Sequence, residues 1–597
     1  MIHGGTSRVG RDIAVLIAFC LFITVPFIDK AFHIDDPAFI CAARAILDKP
    51  FEPYNFLISL PEREFRFFES MPHPPLVSYL IAVVMFVTGK IPEIPIHVTF
   101  IPLTTLAAVA MYFLARRFTS HPLSSSVLLL TSPAFMVNSH QAMSDIPMLA
   151  FWLAAMACYI YGTDNNDRRL IVVSVVLINL ASMTKYPGVL VLPILMVYSL
   201  MRRHSLRRIL LTSVSSFVAL GLWSIHNVLV MGKIHILSIL RQESYVWSIN
   251  PSLELSQYVS RIIEVVAHLG GAILVPIVLI FALRRRTQFV HWSVAILVAA
   301  ASSIFAARAY PGGYKIGFAI FVASGVVLLL LAIGAGGGAT LRYVQKCARG
   351  GRGHEENDVK DDIFAFLWVV VVCLYLVAMP PFVAARYVLP LLPPIILLSV
   401  NALSRWSGSN RGWVNGVCAT AIVLGLGVAV VVSIADFRYA AIYREFGRYV
   451  RTTYVAHAST VWVNGFWGFR YYLEVDGAKP LRNREVAAGD IVVTSRMATL
   501  FELSPEIERE KRLIEEIAYR DRFKVRSFNR EAHAGFYSDL IGLLPYSYSG
   551  AELDRLSVYR VGGEGVPRES WRPGHEASQE AGIVTRSCRG IAVEGTS

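Results

Sequence analysis

Two adjacent carboxylates, Asp35 and Asp36, open the stretch HIDDPAFICAARAILD (33–48), directly after the first apolar block of the chain. A carboxylate at a membrane boundary can take the proton of an attacking hydroxyl or amine, which is general-base work; an Asp at a helix start is equally an ordinary cap. A third acid, Asp145 in SHQAMSDIPML (139–149), stands just before another apolar run and carries the same two readings. Lys185 in SMTKYPG (182–188) interrupts an apolar stretch, and boundary charges are costly enough to be functional candidates by default. The plain alternative is a snorkelling lysine at a turn. A cation placed there would hold a phosphate strongly where water is partly excluded. Arg386 in FVAARYVLP (382–390) follows the same logic with bidentate geometry, and Tyr387 beside it is either a further site residue or an interfacial anchor. His73 in MPHPPL (71–76) precedes two prolines and suits a phosphate or acceptor contact; Glu243 in LRQESYVW (240–247) is a possible second acid.

These residues are hundreds of positions apart, so only the elements that carry them can bring them together. The apolar residues fall in blocks of about 16 to 24, enough to cross a hydrocarbon layer of roughly 30 Å as helix. Spans are expected near 12–29, 97–115, 123–141, 146–162, 170–184, 187–201, 209–230, 262–283, 289–306, 314–335, 363–380, 387–403 and 412–434, about thirteen in all. The piece 76–89 after Pro74-Pro75 is short and reads as re-entrant. With a cytoplasmic N-terminus, the loops on that side are uniformly basic, among them Arg116-Arg117, Arg168-Arg169, RRHSLRR (202–208) and Arg284-Arg285-Arg286. The opposite face then receives Asp35, Asp36, His73, Asp145, Lys185 and Arg386. Counting 76–89 as a full crossing would put the basic loops outside.

Composition agrees: of 597 residues, 55% are hydrophobic and 17% charged, which makes lipid the solvent for most of the chain. The net charge of +13 sits mainly in short loops, which argues against nucleic acid as a partner. The seven cysteines show no paired spacing, so neither a disulfide framework nor a zinc site is expected. No P-loop, dinucleotide fingerprint, HExxH or serine elbow stands in a suitable context.

Residues 1–434 therefore form the membrane domain, with 30–75 as its first external loop. Residues 435–561 read as a small α/β domain. Its helix is ADFRYAAIYREFGRYV (435–450), its strands lie in STVWVNGFW and GDIVVTS, and SPEIEREKRLIEEIAYRDRF (504–523) is helical by pattern. Residues 562–597 lack periodicity and read as a disordered tail.

The ordered set DDPAFICAARAIL (35–47), HPPL (73–76), MSDIPMLAFWLA (143–154), TKYPG (184–188) and RYVLPLLPP (386–394) resembles the C-type-fold integral membrane glycosyltransferases. That group includes the aminoarabinose lipid A transferases and the protein O-mannosyltransferases. NGFWGFRYYLEVDGAKPL (464–481) is similar to the C-terminal domains of some bacterial members. The resemblance implies transfer of a sugar from a polyprenyl-phosphate donor to a lipid, glycan or protein acceptor, with no nucleotide required; members of the group differ on metal use, and the expectation here is none, with a divalent metal as the alternative. It further implies Asp35 as catalytic base, Asp36 where many members have Glu, and Asp145 as second acidic residue. Lys185 and Arg386 would hold the donor phosphate, with His73 where relatives also have Lys. The expected location is the plasma (inner) membrane, with the C-terminal domain extracytoplasmic. A transporter or flippase of a lipid-linked or anionic substrate, and a scaffold without catalysis, are the competing readings.

Overall fold

The computed structural model describes residues 3–562 except 63, 90, 92, 241–254, 274–296, 299, 302–303, 305–311, 349–354, 408–409, 458 and 500. Among the described residues, eight helical segments are long and apolar enough to cross a membrane. They are Arg8–Phe27, Glu93–Phe118, Asp145–Asp164, Leu206–Met231, Gly312–Arg342, Val359–Ala378, Ala385–Trp406 and Arg411–His457. Leu76–Thr88 and Tyr186–Met201 are apolar but shorter. The chain is a multi-pass helical membrane protein with a strand-containing C-terminal region.

Several expected spans take a different form. Residues 123–141 are not one span: helix Pro122–Leu130 ends at Thr131, and helix Pro133–Asn138 follows. Pro133 has no N–H to continue the ladder, and the Ser132 hydroxyl caps the Phe135 N–H at 3.3 Å, so the sequence restarts rather than crosses. Leu76–Thr88 has 13 residues, about 20 Å of helix, and ends at Gly89 in a left-handed conformation. The expected span 289–306 and the second half of 262–283 lie almost wholly outside the described residues, as does Glu243.

The helix Arg411–Thr453 runs for 43 residues, so the boundary drawn at Ala435 falls inside it. Beyond it lies a five-stranded sheet in the order Lys479–Pro480, Val461–Asn464, Ile491–Ser495, Asp554–Val561, Lys511–Tyr519. The first three strands are parallel; Asp554–Val561 runs antiparallel to both its neighbours. Val461, Val463, Ile491, Val493, Leu556 and Val558 put one face of this sheet into the main core, which also holds Phe469 of helix Trp467–Val475 and Tyr443 and Phe446 of the long helix.

The stretch 504–523 corrects a sequence expectation. Only Pro505–Glu510 is helical, and Lys511–Tyr519 is an edge strand. Leu513 and Ile517 at helical spacing suggested a helix. Pairing with Asp554–Val561 overrides that propensity, and the Glu515 carboxylate accepts from the Tyr449 and Tyr454 hydroxyls at 2.8 and 2.7 Å. The tail expected from 562 lies outside the described residues apart from Gly562.

Candidate active site

The chain leaves its first membrane-length helix through a short turn and continues as helix Asp36–Asp48. Asp35 is the N-cap residue of that helix, yet its side chain makes no capping bond. It pairs instead with Arg386, Oδ2 to Nη1 at 2.7 Å. Asp145 opens helix Asp145–Asp164, and its Oδ1 accepts from Lys185 Nζ at 2.6 Å. Lys185 is an extended residue between helix Arg168–Thr184 and the turn Tyr186–Leu190, so the chain break itself delivers the ammonium. Arg386 lies in the turn Ala385–Leu391, interrupted by Pro390, and the C-terminal region pins it: the Ala385 N–H donates to the Phe536 carbonyl at 2.9 Å.

The two ion pairs meet over one aromatic ring. Lys185 Nζ lies 4.7 Å and the Arg386 guanidinium carbon 5.4 Å from the Tyr387 centroid. Asp35, His73, Lys185, Arg386 and Tyr387 all line a cavity of about 450 Å³, whose remaining wall is largely apolar, with Phe39, Ile236, Ile239, Leu240 and Met379. Asp145 stands behind Lys185 and does not line the cavity. His73 Nδ1 and Arg386 Nε are buried without a hydrogen-bond partner among the described residues. Burial, then the nearby Lys185 and Arg386 charges, hold the His73 imidazole well below its usual pKa, so it is neutral.

Asp36 is turned away from the cavity. It is fully buried and accepts the His33 and Ala142 backbone N–H groups, both at 2.9 Å. Between the two, Ile34 sits at φ +49°, an uncommon conformation for a β-branched residue that costs about 1–3 kcal/mol. The buried Asp36 carboxylate anchors this turn and thereby fixes where Asp35 projects.

Burial raises the Asp36 pKa from 3.8 to about 7, against the opposing pull of Lys30 and the two N–H bonds. A folded-state pKa above the unfolded one favours the native state at low pH, and that contribution fades as pH rises from about 4 through 7. Asp36→Asn is therefore expected to flatten the fall of Tm with pH across that window. An unchanged slope in the variant would show that Asp36 does not titrate there.

A second buried cluster, not identified from the sequence, braces this loop. Lys30, the last residue of the first turn, bonds the Asp436 carboxylate of the long helix. Tyr537 and Ser527 of the C-terminal region donate to the same carboxylate at 2.7 and 3.0 Å, and His33 Nε2 lies 3.7 Å from it. Gln141 bonds Tyr537 and so adds the segment just before Ala142. One carboxylate thus ties the first loop, the long helix and the C-terminal region together. Lys30 and Asp436 each adjoin an apolar block, and that position was the available signal; nothing local marks Tyr537. Asp436→Ala leaves the Lys30 ammonium buried and unpaired, so a loss of about 3–5 kcal/mol is expected. Chemical denaturation of the protein in detergent measures it, and a loss below 1 kcal/mol would mean that the cluster does not brace the fold.

Fold and site together define a polytopic membrane protein whose paired charges line a largely apolar cavity. Residues 72–228 match the family model described as dolichyl-phosphate-mannose-protein mannosyltransferase. That segment carries His73, Asp145 and Lys185, whereas Asp35, Asp36 and Arg386 lie outside it. Among solved structures, the chain is similar to ArnT from Cupriavidus metallidurans bound to undecaprenyl phosphate. The two share 16% identity over 81% of this chain and 93% of that one, with a TM-score of 0.42. It is also similar to the Archaeoglobus fulgidus oligosaccharyltransferase tethered with an acceptor peptide, at 10% identity over 80% and 64% of the two chains and a TM-score of 0.46. The S. cerevisiae protein O-mannosyltransferase Pmt1-Pmt2 complex bound to the sugar donor matches at 14% identity over 38% of this chain and 34% of that chain, with a TM-score of 0.30. No curated protein matches in sequence.

Proposed function

We propose that this protein is a membrane glycosyltransferase that moves a sugar from a polyprenyl-phosphate donor to a hydroxyl or amine of a lipid, glycan or protein acceptor. The reaction takes place on the extracytoplasmic face of the plasma membrane, opposite the basic loops. The observation that carries this reading is Arg386: a buried guanidinium with an unpartnered Nε, beside Lys185, at a largely apolar cavity. A phosphate oxygen satisfies that N–H, and the apolar wall suits the first isoprene units.

The chemistry follows from the pairs. An arriving phosphate draws Lys185 and Arg386 toward its own oxygens, which loosens the Arg386 hold on Asp35 and leaves that carboxylate to act as base. The acceptor oxygen or nitrogen attacks the anomeric carbon as the carbon–oxygen bond to phosphate breaks, giving inversion. The bonding pair leaves on polyprenyl phosphate, whose charge the two cations stabilise, and the acceptor proton passes to Asp35. Asp145 pairs with Lys185 and aims it. Neutral His73 is placed to hydrogen-bond donor or acceptor.

Photocrosslinking with a diazirine-bearing polyprenyl phosphate tests the assignment of the cavity. Label is expected on 236–240 and 375–381, displaced by polyprenyl phosphate and not by the corresponding alcohol. Label spread over the lipid-facing helices, or displaced equally by both, would count against a phosphate-reading site.

A further inference from the structure

The C-terminal sheet carries a second cleft, of about 920 Å³, which the transfer reaction does not use. Strand Val461–Asn464 has its sequence successor, Lys479–Pro480, on one side and Ile491–Ser495 on the other. The connection out of this strand and the one out of Ile491–Ser495, which leads to Lys511–Tyr519, therefore run to opposite sides of the sheet. In open sheets, the crevice outside the carboxyl ends of the strands at such a switch point is where ligands bind. Asn464 and Ser495, the last residues of two parallel strands, both line the cleft.

The register sharpens this. Asn464 stands opposite Thr494, Thr494 opposite Ser557, and Ser557 opposite Glu516. Four polar side chains thus form one row across four strands on the face away from the main core, whereas the adjacent row facing that core is Val463, Val493 and Val558. A sheet face turned to water also alternates in this way. Here, however, part of the row is recessed: Asn464 is 2% and Ser557 8% exposed, with Thr494 half-buried between them and Glu516 exposed at the open end. Phe501 and Glu508 help to wall the cleft. Asn464 spends its Nδ2 on the Phe501 carbonyl at 2.9 Å, which leaves its Oδ1 as an acceptor.

The cleft does not suit an anion. Arg555 pairs with Glu516 at 2.9 Å, Lys511 with Glu508 at 2.6 Å and Arg496 with Glu531 at 2.5 Å, so its cations are already neutralised. Nor are the glycines after the first strand a phosphate cradle. A Cβ on Gly465 would meet the Phe469 ring at 2.4 Å, and one on Gly468 the Phe32 carbonyl at 2.5 Å, so both serve close packing. Amide, hydroxyl and carboxylate groups in a row beside an aromatic wall match a ligand that is neutral and rich in hydroxyls. We propose that this cleft is a binding site for a neutral saccharide, separate from the membrane cavity and independent of the glycosyltransferase reading.

Ligand-observed NMR on the full-length protein in lipid nanodiscs, with neutral gluco-, manno- and galacto-configured trisaccharides as probes, tests it. At least one trisaccharide is expected to bind saturably. Thr494→Val, which keeps the shape and removes a hydroxyl, should weaken it about tenfold, and Ser557→Tyr, which fills the cleft, should abolish it. Arg386→Lys should leave saccharide binding at wild-type strength even where transfer is lost, so the two readings fail separately. Absence of saturable binding by all three, unchanged binding in both cleft variants, or preferential binding of a nucleoside diphosphate would overturn the proposal.

Discussion

Asp35→Asn is expected to lower sugar transfer by about 10²–10⁴-fold while the protein still folds and still binds donor. The substitution keeps the shape of a side chain that is 23% exposed and pairs at its outer end with Arg386 Nη1 at 2.7 Å. The Asn amide still offers an oxygen to the guanidinium, so the Ile34–Asp36 turn and the cavity wall persist. What disappears is the lone pair basic enough to take the acceptor proton. Initial rates at saturating donor, with donor affinity measured on the same preparation, separate this from a loss of binding. A Km change with kcat preserved would show that Asp35 positions the donor and does not take the proton. Asp36→Asn is the informative contrast, because that carboxylate faces the His33 and Ala142 N–H groups and acts on the turn.

Arg386→Ala is expected to weaken donor binding by about 10²-fold or more. Separately, removing one partner of a buried pair costs about 3–5 kcal/mol of fold stability. Partial exposure of Asp35 puts this case at the lower end. Arg386→Lys keeps the charge and loses the planar fork, so a smaller defect of about tenfold is expected. Equilibrium binding of a fluorescent polyprenyl phosphate measures both, and Tm recorded alongside shows whether the fold survives. Equal affinity in wild type and Arg386→Ala would remove the phosphate from this site. The same variant frees Tyr387 of one of its two cations, so Lys185 alone would then hold the anion.

The sequence made the membrane class legible because apolar blocks of span length are a strong signal, and alternation of basic loops gave a common face for residues far apart in the chain. In the structure Asp35, His73, Lys185 and Arg386 line one cavity. The capping alternative for Asp35 was open because an Asp before a helix looks the same whether it caps or not; only the absent capping bond and the Arg386 contact decide the geometry. Asp145 looked like a direct site residue, but it reaches the cavity only through Lys185. Pattern reading failed where a single local cue competed with tertiary pairing. Leu513 and Ile517 have helical spacing in what folds as an edge strand, and a continuous apolar run hid the Ser132-Pro133 restart. The Lys30–Asp436–Tyr537 cluster joins residues more than 400 positions apart, a relation no spacing rule contains.

The most direct measurement follows a polyprenyl-phosphate sugar labelled in both sugar and phosphate, incubated with the purified wild-type protein in sealed proteoliposomes and membrane extract. Sugar label is expected to move to acceptor while phosphate label remains on free polyprenyl phosphate in equal amount, and the bond is expected to break only when acceptor is present. Intact donor crossing the bilayer with both labels still joined would contradict it and make the protein a carrier of lipid-linked substrate.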